Sequence, residues 1–311
     1  MRVESILDLI GNTPVVGIHD ISPNKNVKIY LKLDGQNPGG SIKDRAAVSM
    51  IDAAEASGEL KPGGVVLESS SGNTAIGLAL VCKLKGYKLV IVLSENVTEE
   101  RKELLRSFGA EIIYSEGALG SNGAIAKAKE IKEQNPDWVY LYQYGSQANA
   151  DAHYKTTGPE IFKDVPEIDV FVAGLGTTGT LMGVSKFFKE AKPKVKVIAI
   201  EPPVGESVTG LRSIDEGFIP ELFDSEMIDR RIIVRSKESI DVTRRLLNEF
   251  GIFVGVSTGA VVHGAMKIAA EMKSGTIVCV SPDSGWKYLS AKVWTDEMEE
   301  VLETSENINF W

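Results

Sequence analysis

An α/β fold built on mostly parallel sheets is predicted by three features of the 311-residue sequence. Short β-branched runs alternate with amphipathic helical stretches along most of the chain. The strand runs are continuously apolar rather than alternating, as strands covered on both faces require. Several helical stretches end at glycine or just before it. The length and the 43% hydrophobic content support a core divided between two domains.

In chain order, "KIYLKLD" reads as a strand, and "GGSIKDR" as the start of a helix. Ser41 is placed there as the N-cap, with Asp44 three residues on in the manner of a capping box. Strand and helix then alternate through "GVVLES", "KLVIVLS", "TEERKELLRSFG", "AEIIYSE", "NGAIAKAKEIKEQ" and "WVYLYQY". The rhythm breaks around Gly145 to Asn149, a candidate domain boundary. It resumes with "DVFVAGLG" and "KVKVIAIEP", and breaks again in the long segment from Pro202 to Arg230. Segments of that length without periodicity are often functional. "KESIDVTRRLLNEFG", "AVVHGAMKIAAEM" and "GTIVCVSPD" complete the pattern, with Ser257 or Thr258 expected to cap the helix between them. In open α/β sheets ligands bind beyond the carboxyl ends of the strands, so the loops there are the place to look for chemistry.

Composition removes several classes of function. The net charge is −9 without basic runs, which argues against nucleic acid and anionic membranes as partners. The absence of a targeting segment or a long apolar run points to a cytoplasmic protein. Cys82 and Cys279 lie in apolar contexts and read as buried thiols. His19, His153 and His263 show no metal-ligand spacing, so no metal is expected.

Three strand-to-helix loops and one lysine carry the chemical signal. "GLGTTGT" (Gly174 to Thr180) spells GxGxxG after a strand, with Glu201 closing the next strand, which admits an NAD-linked oxidoreductase. Thr177, Thr178 and Thr180 crowd the same turn with hydroxyls, which suits a compact phosphate monoester at a helix N-terminus. "SSSGNT" (Ser69 to Thr74) offers more donors than one helix cap needs, and suits a carboxylate. "GVSTGA" (Gly255 to Ala260) by itself is explained by capping. Lys43 lies on a first helical turn, where a cation opposes the dipole.

Together these segments resemble the fold-type II pyridoxal-phosphate (PLP) enzymes, and within them the cysteine synthases. "IGNTPVV" (Ile10 to Val16) is similar to the family's opening signature, and "NPGGSIKDR" (Asn37 to Arg45) to its lysine motif. "SSSGNT", "GLGTTGT" and "GVSTGA" follow in family order, with "YQYGSQANADAHYKTTGPEI" (Tyr142 to Ile161) in its expected place. Ser70 and Thr178 stand where the family more often has threonine and glycine. The resemblance implies two three-layer αβα domains with mostly parallel sheets. The smaller, mobile one would take residues 1–12 and 35–147, and the larger, phosphate-binding one residues 13–34 and 148–311. It implies that Lys43 forms the Schiff base, that Asn73 bonds the 3′ oxygen, and that Gly176, Thr177, Thr178, Gly179 and Thr180 hold the phosphate. Ser257 would face the ring nitrogen. Ser70, Ser71, Gly72, Thr74 and Gln143 would bind the amino-acid carboxylate. A neutral serine at the ring nitrogen suits β-elimination to an aminoacrylate followed by addition of a nucleophile.

The segment "GLRSIDEGFIPELFD" (Gly210 to Asp224) resembles the O-phosphoserine-dependent branch, as do "GWKYLSAK" (Gly285 to Lys292) and the aromatic end "NINFW". Arg212 there suits a phosphate leaving group by bidentate, charge-assisted hydrogen bonds. A surface pair with Asp215 or Glu216 is the competing reading of Arg212. The resemblance further implies a homodimer, sulfide or a thiocarboxylated carrier protein as sulfur donor, and a C-terminal segment that covers the site. O-acetylserine as substrate, and a serine/threonine dehydratase or cystathionine β-synthase, remain alternatives, as does a binding protein without activity.

Overall fold

The computed structural model describes residues 2–307, with backbone only from 304 onward. Its strands are β1 Val15–Gly17, β2 Val27–Leu33, β3 Val65–Ser69, β4 Lys88–Ser94, β5 Glu111–Ser115, β6 Val139–Tyr140, β7 Val170–Gly174, β8 Lys196–Glu201, β9 Arg230–Ile233 and β10 Gly275–Ser281. They form two sheets, a six-stranded one in the order β1-β2-β10-β7-β8-β9 and a four-stranded one in the order β5-β4-β3-β6. All pairings are parallel except β1 with β2.

The helices are α1 Lys43–Ala56, α2 Asn73–Lys85, α3 Glu99–Ser107, α4 Gly120–Gln134, α5 Gln147–Ala152, α6 Gly158–Asp164, α7 Gly179–Ala191, α8 Ser236–Phe250, α9 Val256–Glu271 and α10 Met298–Asn307. None of the described helices is long and apolar enough to cross a membrane.

The continuous apolar runs are explained by coverage on both faces. On β7, Val170 and Val172 enter one core while Phe171 and Ala173 enter the other. On β4, Leu89, Ile91 and Leu93 face α1 and α2, and Val90 and Val92 face α4. Cys82 and Cys279 are buried in these cores as free thiols, and burial pushes Cys82 up to about 12.

Two features position the site. The segment before α1 is stitched to the carboxyl end of β10: Ile42 N–H donates to Pro282 O (2.7 Å), and Ser41 forms an isolated bridge with Asp283. A buried ion network then anchors α1 to β2 and α6. Arg45 pairs with Asp34 (2.9 Å) and Glu160 (2.6 Å), and Lys32, fully buried, pairs with Glu160 (2.8 Å). Burial opposes ionisation of Glu160, but Arg45 and Lys32 hold it down at about 2.

Between α5 and α6 the helix widens into a π turn, His153–Thr157, which packs closely on α7. Gly183 permits this approach, since a Cβ there would meet Ala150 O at 2.1 Å and His153 Cβ at 2.8 Å. Gly183→Ala is therefore expected to cost about 2 kcal/mol through overpacking. A thermal melt checks this, and an unchanged midpoint would refute the close packing.

Candidate active site

The carboxyl ends of both sheets open on one cavity of about 450 Å³. Of the residues that the family resemblance assigns to cofactor and substrate, all but Gly179 line it. Gly179 instead opens α7, and a Cβ on it would meet Asn149 Oδ1 at 2.3 Å. Its task is to let the loop approach α5.

Lys43 projects into this cavity from the first residue of α1. The expected capping box is not formed. Ile42 precedes the helix in helical conformation, Ser41 Oγ accepts the Lys43 N–H (3.2 Å), and Asp44 reaches back to Gly39 N–H rather than to Ser41. A side chain on Gly39 would collide with Asp44 Oδ1 at 2.5 Å, so the turn needs glycine. The Lys43 amine donates to Thr177 Oγ1 (3.1 Å), and desolvation lowers its pKa from 10.5 to about 8. The cause is burial; among the groups around it no anion counters that effect. A larger share of this amine is thus free near neutral pH, the form that attacks an aldehyde.

The loop after β7 turns through Thr178 in a left-handed conformation (φ 69°), an arrangement that costs a residue with a Cβ. Gly176 passes so close to Gly210 that a Cβ would sit 2.9 Å from its carbonyl. Thr178 Oγ1 is buried without a hydrogen-bond partner, beside the first-turn N–H groups of α7 that no helical carbonyl reaches. Thr177 Oγ1 also accepts from Asn149 Nδ2 (3.1 Å), whose second bond goes to Gln143 O (2.8 Å). Asn149 therefore ties this loop to the segment after β6.

Across the cavity, Thr74 Oγ1 donates to Gln143 Oε1 (2.6 Å), while the buried Ser71 hydroxyl has no partner. Beneath them Glu68 accepts the backbone N–H groups of Ser69 (2.9 Å) and Gln143 (3.2 Å) and so fixes the two segments relative to each other. Burial pushes Glu68 up to about 8. Ser257 lies in the first turn of α9, which begins at Val256 after Gly255, so neither Ser257 nor Thr258 caps it. Ser257 faces the cavity, and Thr258 Oγ1 instead pairs with Ser281 Oγ (3.0 Å). Glu201 is absent from the cavity wall. It is buried, pairs with Arg231 (2.9 Å) and accepts the Ile214 N–H (3.2 Å), so no ribose-binding acid stands beside the glycine loop.

Comparison with known proteins shows the family of the chain. Residues 6–283 match the family model described as pyridoxal-phosphate dependent enzyme. The chain belongs to this fold-type II PLP enzyme family. A cysteine synthase of Staphylococcus aureus (strain N315) is 40% identical over 303 residues, covering 94% of this chain and 97% of that protein. An O-ureido-L-serine synthase structure superposes with a TM-score of 0.90 at 37% identity, covering 96% of this chain and 97% of the other. The cysteine synthase of Entamoeba histolytica also gives 0.90, at 32% identity over 99% of this chain and 96% of that one.

Family membership makes PLP the cofactor, and the residues present fit it. An unpartnered buried hydroxyl, first-turn amides and threonine hydroxyls converge where a phosphate monoester would sit, one loop away from a desolvated amine. The expected dinucleotide alternative is thereby replaced.

Several residues of the cavity wall were not picked out from the sequence. Asp283 and Lys287 bracket Asn73: Asn73 Nδ2 donates to Asp283 Oδ2 (2.7 Å), and Lys287 Nζ donates to Asn73 Oδ1 (2.7 Å) and Gly39 O (2.9 Å). Tyr288 also donates to Asp283. The bonds assign the orientation of the Asn73 amide. Burial lowers Lys287 to about 8. The segment "GWKYLSAK" contains Lys287 and Tyr288, but nothing in its spacing tells which of them faces a cavity.

Arg212 is half-buried on the cavity wall, its backbone N–H fixed on Leu175 O (2.7 Å). The guanidinium donates to Ser121 Oγ (2.5 Å) and Tyr144 OH (3.3 Å) and stacks on Phe218 and Tyr144, 4.8 and 5.1 Å from the ring centres. The surface pair considered for it does not form, because Asp215 goes to Arg231 (3.4 Å) and Glu216 accepts the Gly205 N–H (3.0 Å). Residues 308–311, most of the segment expected to cover the site, lie outside the described residues.

Proposed function

We propose that the protein is a cysteine synthase that replaces the phosphate of O-phospho-L-serine with sulfur, sulfide being the simplest donor. The observation that carries this reading is the desolvated Lys43 amine set between a phosphate cradle and a carboxylate loop, with Arg212 on the same wall. The curated relatives named cysteine synthase support the reaction class.

When bound, PLP supplies an aldehyde for amines and a ring that withdraws electron density from the substrate Cα. The chain does the rest. Ser71 Oγ, Thr74, the first-turn amides of α2 and Gln143 grip the substrate carboxylate and so fix the Cα–H direction. Lys43 would hold the cofactor through its amine, and as a free amine whose pKa burial lowers to about 8 it would take up the Cα proton of the substrate as a general base. Asn73, oriented by Asp283 and Lys287, would hold the cofactor's 3′ oxygen, and Ser257 would meet the ring nitrogen without a charge. Arg212, with Ser121 and Tyr144 behind it, receives the departing phosphate. In this reading the unit of residues 1–12 and 35–147 closes on the remainder when the carboxylate binds, and two subunits form the working enzyme. A substrate-dependent fall in the radius of gyration, and a dimer mass in solution, check these two points.

The direct test uses the purified protein. It is expected to be yellow, to form cysteine from O-phosphoserine and sulfide, and to carry the cofactor on the Lys43 peptide after borohydride reduction. A colourless protein, or label on another lysine, would sink the assignment. The amine also predicts a pH profile. Its folded pKa is depressed, so the free amine accumulates as pH rises through about 8 rather than 10.5. Attachment of PLP to apoprotein should accelerate from pH 7 and level off above about 8, as read by absorbance. Continued acceleration towards pH 10 would contradict the desolvation of Lys43.

A further inference from the structure

Thr180 occupies the second position of α7 and lines the cavity at the phosphate cradle. Behind it stands His153 in the π turn, with Nε2 3.3 Å from Thr180 Oγ1 and Nδ1 2.9 Å from Thr157 Oγ1. His153 and Thr157 are both 0% exposed. Desolvation, with Lys43 and Arg45 adding positive charge, holds His153 neutral, its pKa well below the ordinary value. One ring nitrogen is then a donor and the other an acceptor.

The two tautomers differ in what they leave unpaired. With the proton on Nδ1, the ring donates to Thr157, and the Thr157 hydroxyl hydrogen has no other acceptor among the bonds of this buried side chain. Nε2 would then draw the Thr180 hydrogen away from the cavity. With the proton on Nε2, Thr157 donates to Nδ1, Nε2–H donates to Thr180 Oγ1, and the Thr180 hydrogen is released towards the cavity. Only the second arrangement satisfies every buried donor.

We propose that His153, as its Nε2–H tautomer, is a positioning residue that turns the Thr180 hydroxyl into a donor aimed at the cofactor phosphate. The relay runs Thr157 O–H to Nδ1, Nε2–H to Thr180 Oγ1, and Thr180 O–H to a phosphate oxygen. It rests on the assignment of the 176–180 loop to that phosphate. The close approach that makes it possible is the glycine contact at position 183.

The test is cofactor affinity, measured by fluorescence titration of apoprotein with PLP. His153→Asn keeps a partner for Thr157 but cannot reach Thr180, and is expected to weaken binding about fivefold, the worth of one neutral hydrogen bond. His153→Gln restores a donor at the Nε2 position and should recover most of that loss. Thr180→Val should cost a similar factor, and the double variant no more than either single one, because both break one chain of bonds. Additive losses would overturn the relay while leaving the phosphate loop intact. An unchanged affinity in Thr180→Val would overturn the relay together with the assignment of Thr180 to the phosphate. Nitrogen-15 resonances of His153 in the unaltered holoenzyme decide the matter independently if a variant fails to fold: an Nε2–H tautomer supports the relay, and an Nδ1–H tautomer refutes it.

Discussion

Lys43→Ala is expected to lower cysteine formation at least ~10³-fold and to abolish covalent retention of the cofactor. Two functions are lost together, the amine that anchors the cofactor and the base at Cα. The variant should still fold. Thr177 keeps its bond from Asn149, and α1 keeps its buried Arg45–Asp34–Glu160 anchor. Removing a desolvated amine that has no anionic partner does not weaken the fold, so the thermal midpoint of the apoprotein should not fall. Mass spectrometry after borohydride, together with steady-state rates, checks both halves. Activity within about tenfold of the parent would remove Lys43 from proton transfer.

Arg212→Ala is expected to reduce kcat/KM for O-phosphoserine about 10²-fold, the loss of charge-assisted hydrogen bonds to a phosphate dianion. For O-acetylserine the same change should cost less than about threefold, because an acetyl group offers no charge to recognise. The ratio is the quantity to read, since loss of the stacking on Phe218 and Tyr144 would disturb both substrates alike. Arg212→Lys should fall between, retaining charge without the planar fork. Equal losses on both esters would take Arg212 out of leaving-group recognition.

The sequence was most informative where one local rule governs. Strands β4, β7, β8 and β10 are legible because burial on both faces demands runs of apolar residues. "WVYLYQY" misleads for a local reason: only Val139 and Tyr140 pair, because Tyr142 adopts a left-handed conformation (φ 48°) and turns Gln143 and Tyr144 towards the cavity. At Ser41 the capping pattern was outweighed by a tertiary contact, the bridge to Asp283 on the far side of the sequence. The cradle residues could be read because each loop concentrates donors beyond what a helix start needs. Asp283, Lys287 and Asn149 could not, because a buried amide or carboxylate acquires its meaning from partners that lie far off in the chain. Glu201 shows the converse: correct spacing from a glycine loop, but a side chain already engaged by Arg231.

The order of the six-stranded sheet also bears on how the enzyme comes into being. Strand β2 pairs with β10, and the lysine segment is stitched to Pro282 and Asp283 just beyond it. A nascent chain therefore exposes an unpaired β2 edge until nearly all of it has been synthesised, and contacts so distant in sequence form slowly. Until that closure, Lys43 is an ordinary solvated ammonium. Its reactivity is expected to arise among the last events of folding, because the burial that frees the amine depends on contacts from the far end of the sequence.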